Sequence, residues 1–221
     1  MLRKETVSSS LLESLVVLME MKTIKTHRLV GGTALALQIG HRFSVDIDLF
    51  SDDKNDYEEI QEELYETFGD KFAKGRNVRS SLSNGIAIYL NDIKTDILDW
   101  KAKFIRPALI DERVRMASKE DIIPMKFNTF LCSPEFARYE KKDFVDIANL
   151  MKEFSLEQMI SLYNEKYPHE LMFSRLMIEG LQLSEKADKK VMPKMLNSEI
   201  WDDTKKQIEK TVTSFIKKQR G

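Results

Sequence analysis

Two carboxylates placed two residues apart in an apolar run give this chain its clearest chemical signal. Residues 44–50 read SVDIDLF, so Asp46 and Asp48 interrupt what otherwise looks like a strand entering a core. A buried carboxylate is costly unless a partner or a ligand offsets it. Alternate side chains of a strand share a face, so Asp46 and Asp48 point together with Cα atoms roughly 6.5 Å apart. Val45, Ile47 and Leu49 then face the core. Hard oxygen donors of this kind suit Mg²⁺ or Mn²⁺. Just upstream, Gly31-Gly32-Thr33 opens a short helix, where backbone N–H groups and the positive helix end favour a phosphate. A metal beside a phosphate cradle is the equipment of phosphoryl or nucleotidyl transfer.

A third acid fits the same chemistry. In IKTDILDW, Lys94, Asp96 and Leu98 share one face and Ile93, Thr95 and Ile97 the other. If this strand lies beside SVDIDLF in one sheet, Asp96 joins Asp46 and Asp48 around two metals. Two cations about 3.5–4 Å apart clamp the attacking and leaving oxygens of an in-line displacement. Asp99, on the opposite face, is the second choice. An isolated Asp-x-Asp is usually a surface turn, but the glycines upstream and the second Asp-bearing strand favour the site.

Gly31-Gly32-Thr33, a twelve-residue spacer, then Asp46-Ile47-Asp48 with Ser44 just ahead resembles the first motif of the nucleotidyltransferase superfamily, whose fold is DNA polymerase β-like. More narrowly, GGTALALQIGHRFSVDIDLF resembles the AbiEii/AbiGii toxin family of bacterial abortive-infection and toxin–antitoxin systems. Lys126, Arg138 and Lys142-Asp143-Phe144-Val145-Asp146 match that family's lysine and K-D-x-x-D motifs. The likeness runs from about residue 29 to 150. It implies an NTP-using toxin, tRNA acceptor ends as the target class, and neutralisation by an antitoxin encoded nearby. Asp46, Asp48 and Asp96 are then the metal ligands, with Asp96 also the base for the acceptor hydroxyl. Gly31, Gly32, Thr33 and Ser44 hold the phosphates. Lys126 neutralises charge on the leaving pyrophosphate, and Arg138, Lys142, Asp143 and Asp146 contact the nucleotide.

Read without the resemblance, Lys126 sits among Ile122, Ile123, Met125, Phe127 and Phe130, where a lysine either snorkels or reaches an anion. Asp143 and Asp146, three apart on a helix, share a face. They pair with Lys126 or Arg138 in a salt-bridge network, or contact base or ribose. His27, His41 and His169 lack metal spacing. His41-Arg42 stands just ahead of the Asp-x-Asp strand, where the sequence favours a surface position over a substrate contact. An acceptor that is a protein or a small molecule, and a degenerate nucleotide-binding module, are the competing readings. A glycosyltransferase Asp-x-Asp leaves the glycines unexplained.

The elements that must position these residues follow from periodicity. Ser10 with Glu13 makes a capping box for an amphipathic helix over residues 11–24. Residues 27–31 read as a strand, 33–40 as a helix ended by Gly40, and 55–68 as a helix with Tyr57, Ile60, Leu64 and Phe68 on one face. Strands are expected at 72–79, 85–90, 92–99 and 114–118, with Asn84-Gly85 and Asn91-Asp92 as turns. From residue 119 the pattern is helical: 119–131, 135–153, 155–165, 168–184 and 198–219. The fold class is therefore α+β, a mixed sheet with flanking helices over 1–118 and a helical bundle over 119–221 that completes the active-site cleft.

Bulk properties bound the rest. The 221 residues are 42% hydrophobic and 32% charged, which excludes wholesale disorder. No apolar run approaches the ~18–20 residues that span a bilayer. Glu13 and Glu20 break the N-terminal apolar stretch, which excludes a secretory signal. Cys132 is the single cysteine, so no internal disulfide or cysteine zinc site exists, and a reducing cytoplasm is expected. Net charge is −1, but residues 44–70 hold eleven Asp/Glu against one Lys, whereas 186–221 hold ten Lys/Arg against five Asp/Glu. That tail is either a solvated helix face or a basic surface for tRNA phosphates.

Overall fold

Ile47, Leu49 and Ser51 are buried while Asp48 and Phe50 between them are half-exposed, and this alternation makes a strand whose inner face is core. The computed structural model describes residues 1–73, 79–82, 85–131, 139–168 and 174–220. It divides into two units, Met1–Ser118 and Lys119–Gly221.

The first unit runs α1 (Ser9–Glu20), β1 (Arg28–Leu29), α2 (Gly31–Ile39), β2 (Ile47–Ser51), α3 (Tyr57–Phe68), α4 (Asp70–Ala73), β3 (Arg79–Leu82), β4 (Gly85–Leu90), β5 (Ile93–Asp99), β6 (Leu109–Asp111) and β7 (Val114–Met116). The strands form one mixed sheet in the order β3-β4-β5-β2-β1-β7-β6. β2 pairs in parallel with β5 and antiparallel with β1, and β1 pairs in parallel with β7. Leu11, Leu15 and Leu18 of α1, Leu35 and Leu37 of α2, and Leu29, Ile47, Leu49 and Ile97 of the sheet are fully buried.

Several boundaries differ from the sequence expectation for local reasons. Ser8, in extended conformation, caps α1 by accepting from Leu11 N at 3.1 Å, so Ser10 falls inside the first turn. Val45 is 60% exposed rather than core. β2 begins at Ile47 because the residues ahead of it bond elsewhere: Ser44 N donates to Thr6 O, and the Asp46 carbonyl accepts from the Thr33 hydroxyl. Of the strand expected at 72–79, residues 72–73 are helical, Arg79 opens β3, and 74–78 lie outside the described residues. Hairpin β6–β7 carries positive φ at Glu112 and Arg113, a two-residue turn that neither residue type advertises. Ion pairs Lys4–Glu112 and Arg113–Glu20 hold it. Hairpin β4–β5 turns at Asn91-Asp92, both at positive φ, as expected.

The second unit is helical: α5 (Lys119–Leu131), α6 (Lys141–Leu150), α7 (Leu156–Lys166), α8 (Ser174–Gln182) with a 3-10 turn (Leu183–Ala187), and α9 (Trp201–Arg220). Ser155 caps α7 in a reciprocal box with Gln158. Ile122, Ile123, Phe127, Phe144, Ile147 and Tyr163 form its centre. Lys166 and Asp121 make a fully buried ion pair at 2.8 Å. Among the described residues no helix is long and apolar enough to cross a membrane. Arg138, Cys132 and His169 lie outside the described residues.

Candidate active site

The register of the parallel pair sets Asp48 on β2 opposite Asp96 on β5, with Ile47 opposite Thr95 and Leu49 opposite Ile97. Asp46 stands just before β2, half-buried. Asp99 sits opposite Ser51 and is engaged elsewhere: its carboxylate accepts from Asn55 Nδ2 at 2.7 Å and Asn55 N at 3.3 Å. Asp99 thus secures the loop after β2, and Asp96 is the acid that meets Asp48.

The glycines lie against these carboxylates. Gly31 has φ +67°, a conformation in which an L side chain is strained, and a Cβ there would come 2.8 Å from Asp48 Oδ2. Val30 N donates to Asp48 O at 2.9 Å, which ties the start of α2 to β2. A Cβ on Gly32 would meet Arg42 Nη2 at 2.2 Å. Gly32 therefore makes room for a guanidinium. Arg42 is only 3% exposed and His41 is buried too, contrary to the surface position favoured from sequence. Arg42 Nη1 donates to Phe43 O at 3.1 Å and reaches Ser44 Oγ at 3.5 Å.

Thr33 and Ser44 are buried and share a hydroxyl–hydroxyl hydrogen bond at 2.9 Å. With Thr33 also donating to the Asp46 carbonyl, the pair braces the segment that presents Asp46. The start of α2 offers backbone N–H groups and the positive end of the helix.

Sequence reasoning gave Lys94 no role, though it had placed the residue on the face of Asp96. Its ammonium pairs with Asp96 Oδ2. Burial by itself lowers the Lys94 pKa, but the hydrogen bond and charge of Asp96, then the charges of Asp48 and Asp46, outweigh it and raise the value overall. A lysine ammonium thus pairs with Asp96 and feels the charges of Asp48 and Asp46.

The residues fit a hard divalent cation by donor type. Asp96 Oδ1 is buried with no hydrogen-bond partner, and Asp48 Oδ2 occupies the space that Gly31 leaves open. Among the described residues, no three His, Cys, Asp or Glu groups converge as a ready-made metal cluster.

In the helical unit, Lys126 pairs with Asp143 at 3.0 Å and Asp146 at 2.5 Å, all three buried. The two acids share one helix face, as their spacing predicts, and Lys126 is their common partner. Lys142 is half-buried on α6 beside Asp143.

A mixed sheet with an Asp-x-Asp at a strand start, a third Asp in register and a glycine-led helix beside them defines a nucleotidyltransferase. A family model described as nucleotidyl transferase AbiEii toxin of type IV toxin–antitoxin systems matches residues 24–216. The chain belongs to the AbiEii nucleotidyltransferase toxin family. Among solved structures, a protein described as a candidate nucleotidyltransferase from H. pylori is 18% identical, with 94% of this chain and 92% of that one covered at a TM-score of 0.55. MenT4, a nucleotidyltransferase toxin from Mycobacterium tuberculosis, is 12% identical, with 92% and 81% covered at a TM-score of 0.55. ANT(2")-Ia, solved with adenylyl-2"-tobramycin, is 20% identical, with 72% and 97% covered at a TM-score of 0.50. At these identities the likeness shows the fold. No curated protein is detectably similar in sequence.

Proposed function

We propose that this toxin transfers a nucleoside monophosphate from an NTP to a hydroxyl at the acceptor end of tRNA, with Mg²⁺ or Mn²⁺ held by Asp46, Asp48 and Asp96. The observation that carries the reading is the register that sets Asp48 opposite Asp96, two residues beyond Asp46 and beside the glycine-led start of α2. The metal, when bound, supplies charge stabilisation at the α-phosphate and the leaving oxygen.

The chain's own residues do the rest. Backbone N–H groups at the start of α2 take the β- and γ-phosphates, and Gly31 leaves room for the Asp48 carboxylate beside them. Thr33 and Ser44 fix the Asp46 segment. Asp96 receives the proton of the acceptor hydroxyl as its oxygen bonds to the α-phosphorus. The bond from that phosphorus to the β-phosphate oxygen breaks, and pyrophosphate leaves with the electron pair. The helical unit carries the family's lysine and K-D-x-x-D positions, where Lys126 holds Asp143 and Asp146 in a buried ion-pair cluster. The family match spans both units, from residue 24 to 216. The lysines at 206, 210 and 217 are exposed and line a shallow groove of about 410 Å³ along α9. Spaced so, they suit phosphates of an RNA backbone. A cognate antitoxin follows from the family.

Incubating the full chain with Mg²⁺, each labelled NTP in turn, and either total tRNA or protein extract tests the reading. Label on tRNA that is lost in Asp48→Ala supports it. Label on protein, on a small molecule or on nothing overturns the acceptor assignment.

A further inference from the structure

We propose that Lys94 is a built-in counter-cation that competes with the divalent metal for Asp96, and so sets how tightly the chain binds that metal before a nucleotide arrives. This rests on the reading of Asp46, Asp48 and Asp96 as metal ligands. Strand alternation puts Lys94 on the face of Asp96, two residues earlier on β5. The pairing sets Asp48 beside Asp96, and the charges of Asp48 and of Asp46, just ahead of β2, both act on Lys94. One lysine therefore pairs with Asp96 within the field of two further acids. On its other flank, its partner across β4–β5 is Tyr89, so no acid there draws it away.

The resting pairing is one bond short. Asp96 Oδ2 is taken by the Lys94 ammonium, while Oδ1 is buried with no hydrogen-bond partner. A buried acceptor left unmade is unfavourable, and a cation reaching Oδ1 would remove that penalty. Lys94 is free to leave because its side chain is 45% exposed on a flexible four-carbon stem. A metal at Asp96 must displace the ammonium or share the carboxylate with it against like-charge repulsion. Lys94 is accordingly a positioning residue: it holds the acids together without metal and weakens metal binding by the empty enzyme.

The test reads metal binding, without turnover. Mn²⁺ is titrated into the nucleotide-free full chain, and free Mn²⁺ is followed by electron paramagnetic resonance. The variants are Lys94→Met, Lys94→Gln, Lys94→Arg and, as a charge-deletion control, Lys103→Met, which pairs with Asp52. Lys94→Met and Lys94→Gln are expected to bind Mn²⁺ at least about tenfold tighter than the parent, or about 1.4 kcal/mol. Lys94→Arg and Lys103→Met stay within about twofold, and adding Asp96→Asn to Lys94→Met erases the gain. Circular dichroism confirms folding, with two neutral replacements guarding against one misfolded variant. Equal Mn²⁺ affinity in the parent and the neutral variants overturns the role of Lys94 while leaving the carboxylate site standing. An equal gain from Lys103→Met overturns it as well. Absence of Mn²⁺ binding in every variant overturns the metal site and this role together.

Discussion

Asp48 of β2 and Asp96 of β5 face one another across a parallel strand pair. Parallel neighbours need a crossover, and here α3, α4, β3 and β4 intervene between the two strands. The candidate site is thus assembled from two segments that meet only when the sheet forms.

Asp96→Asn should lower NMP transfer roughly a hundredfold, the scale of losing one preorganised charge group from an active site. Asp99→Asn should leave transfer within a few-fold of the parent and lower stability by about 1 kcal/mol, since Asp99 accepts from Asn55. Label incorporation and urea unfolding on the same preparations separate the two. Equal activity losses would remove the distinction drawn from the register.

Gly32→Ala should destabilise the first unit by about 1–3 kcal/mol, because its Cβ would land on the Arg42 guanidinium. Adding Arg42→Ala should restore part of that loss. The double-mutant cycle then shows a coupling of roughly 0.5–3 kcal/mol. Additive losses would mean that the glycine serves something other than Arg42.

Lys126→Met should cost about 3–5 kcal/mol of stability by stranding Asp143 and Asp146 in a buried setting. The triple change Lys126→Met, Asp143→Asn, Asp146→Asn should lose less, because it leaves no unpaired buried charge. Thermal unfolding gives the order, and a triple variant weaker than the single one refutes the ion-pair account.

Acid should weaken the fold through His27. Its ring is buried with neither nitrogen hydrogen-bonded, and burial, resisted by the charge of Asp99 and aided by that of Arg115, lowers its pKa from 6.5 to about 4. The unfolded chain therefore binds a proton that the folded chain refuses. Stability is fully present above pH 6.5 and falls as pH drops towards 4, by at most roughly 3 kcal/mol. His27→Phe should flatten the unfolding free energy between pH 6.5 and 4. A variant with the parent's slope would place the acid sensitivity in another group.

Much of the site was readable along the chain because it depends on local spacing. Gly31-Gly32-Thr33 and Asp46-x-Asp48 are near neighbours, and strand alternation selected Asp96 over Asp99. The burial of Arg42 was not readable, since an arginine looks like a surface residue until the glycine that makes room for it is in place. Nor was the Glu112-Arg113 hairpin, whose positive φ values are held by ion pairs to Lys4 and Glu20 rather than by turn-forming residue types. Val45 left the inner face because Ser44 N donates to Thr6 and the Asp46 carbonyl accepts from Thr33, which delays the start of the strand to Ile47.

The sequence by itself determined the class of chemistry: which residues are acids, how far apart they stand on their own strands, and where a glycine-led helix begins. Those are properties of short segments, governed by backbone geometry and side-chain period. Tertiary structure alone decided which acids meet and that Lys126 joins Asp143 with Asp146. Pairings of this kind depend on strand register and helix packing, which bring together residues that no local period relates.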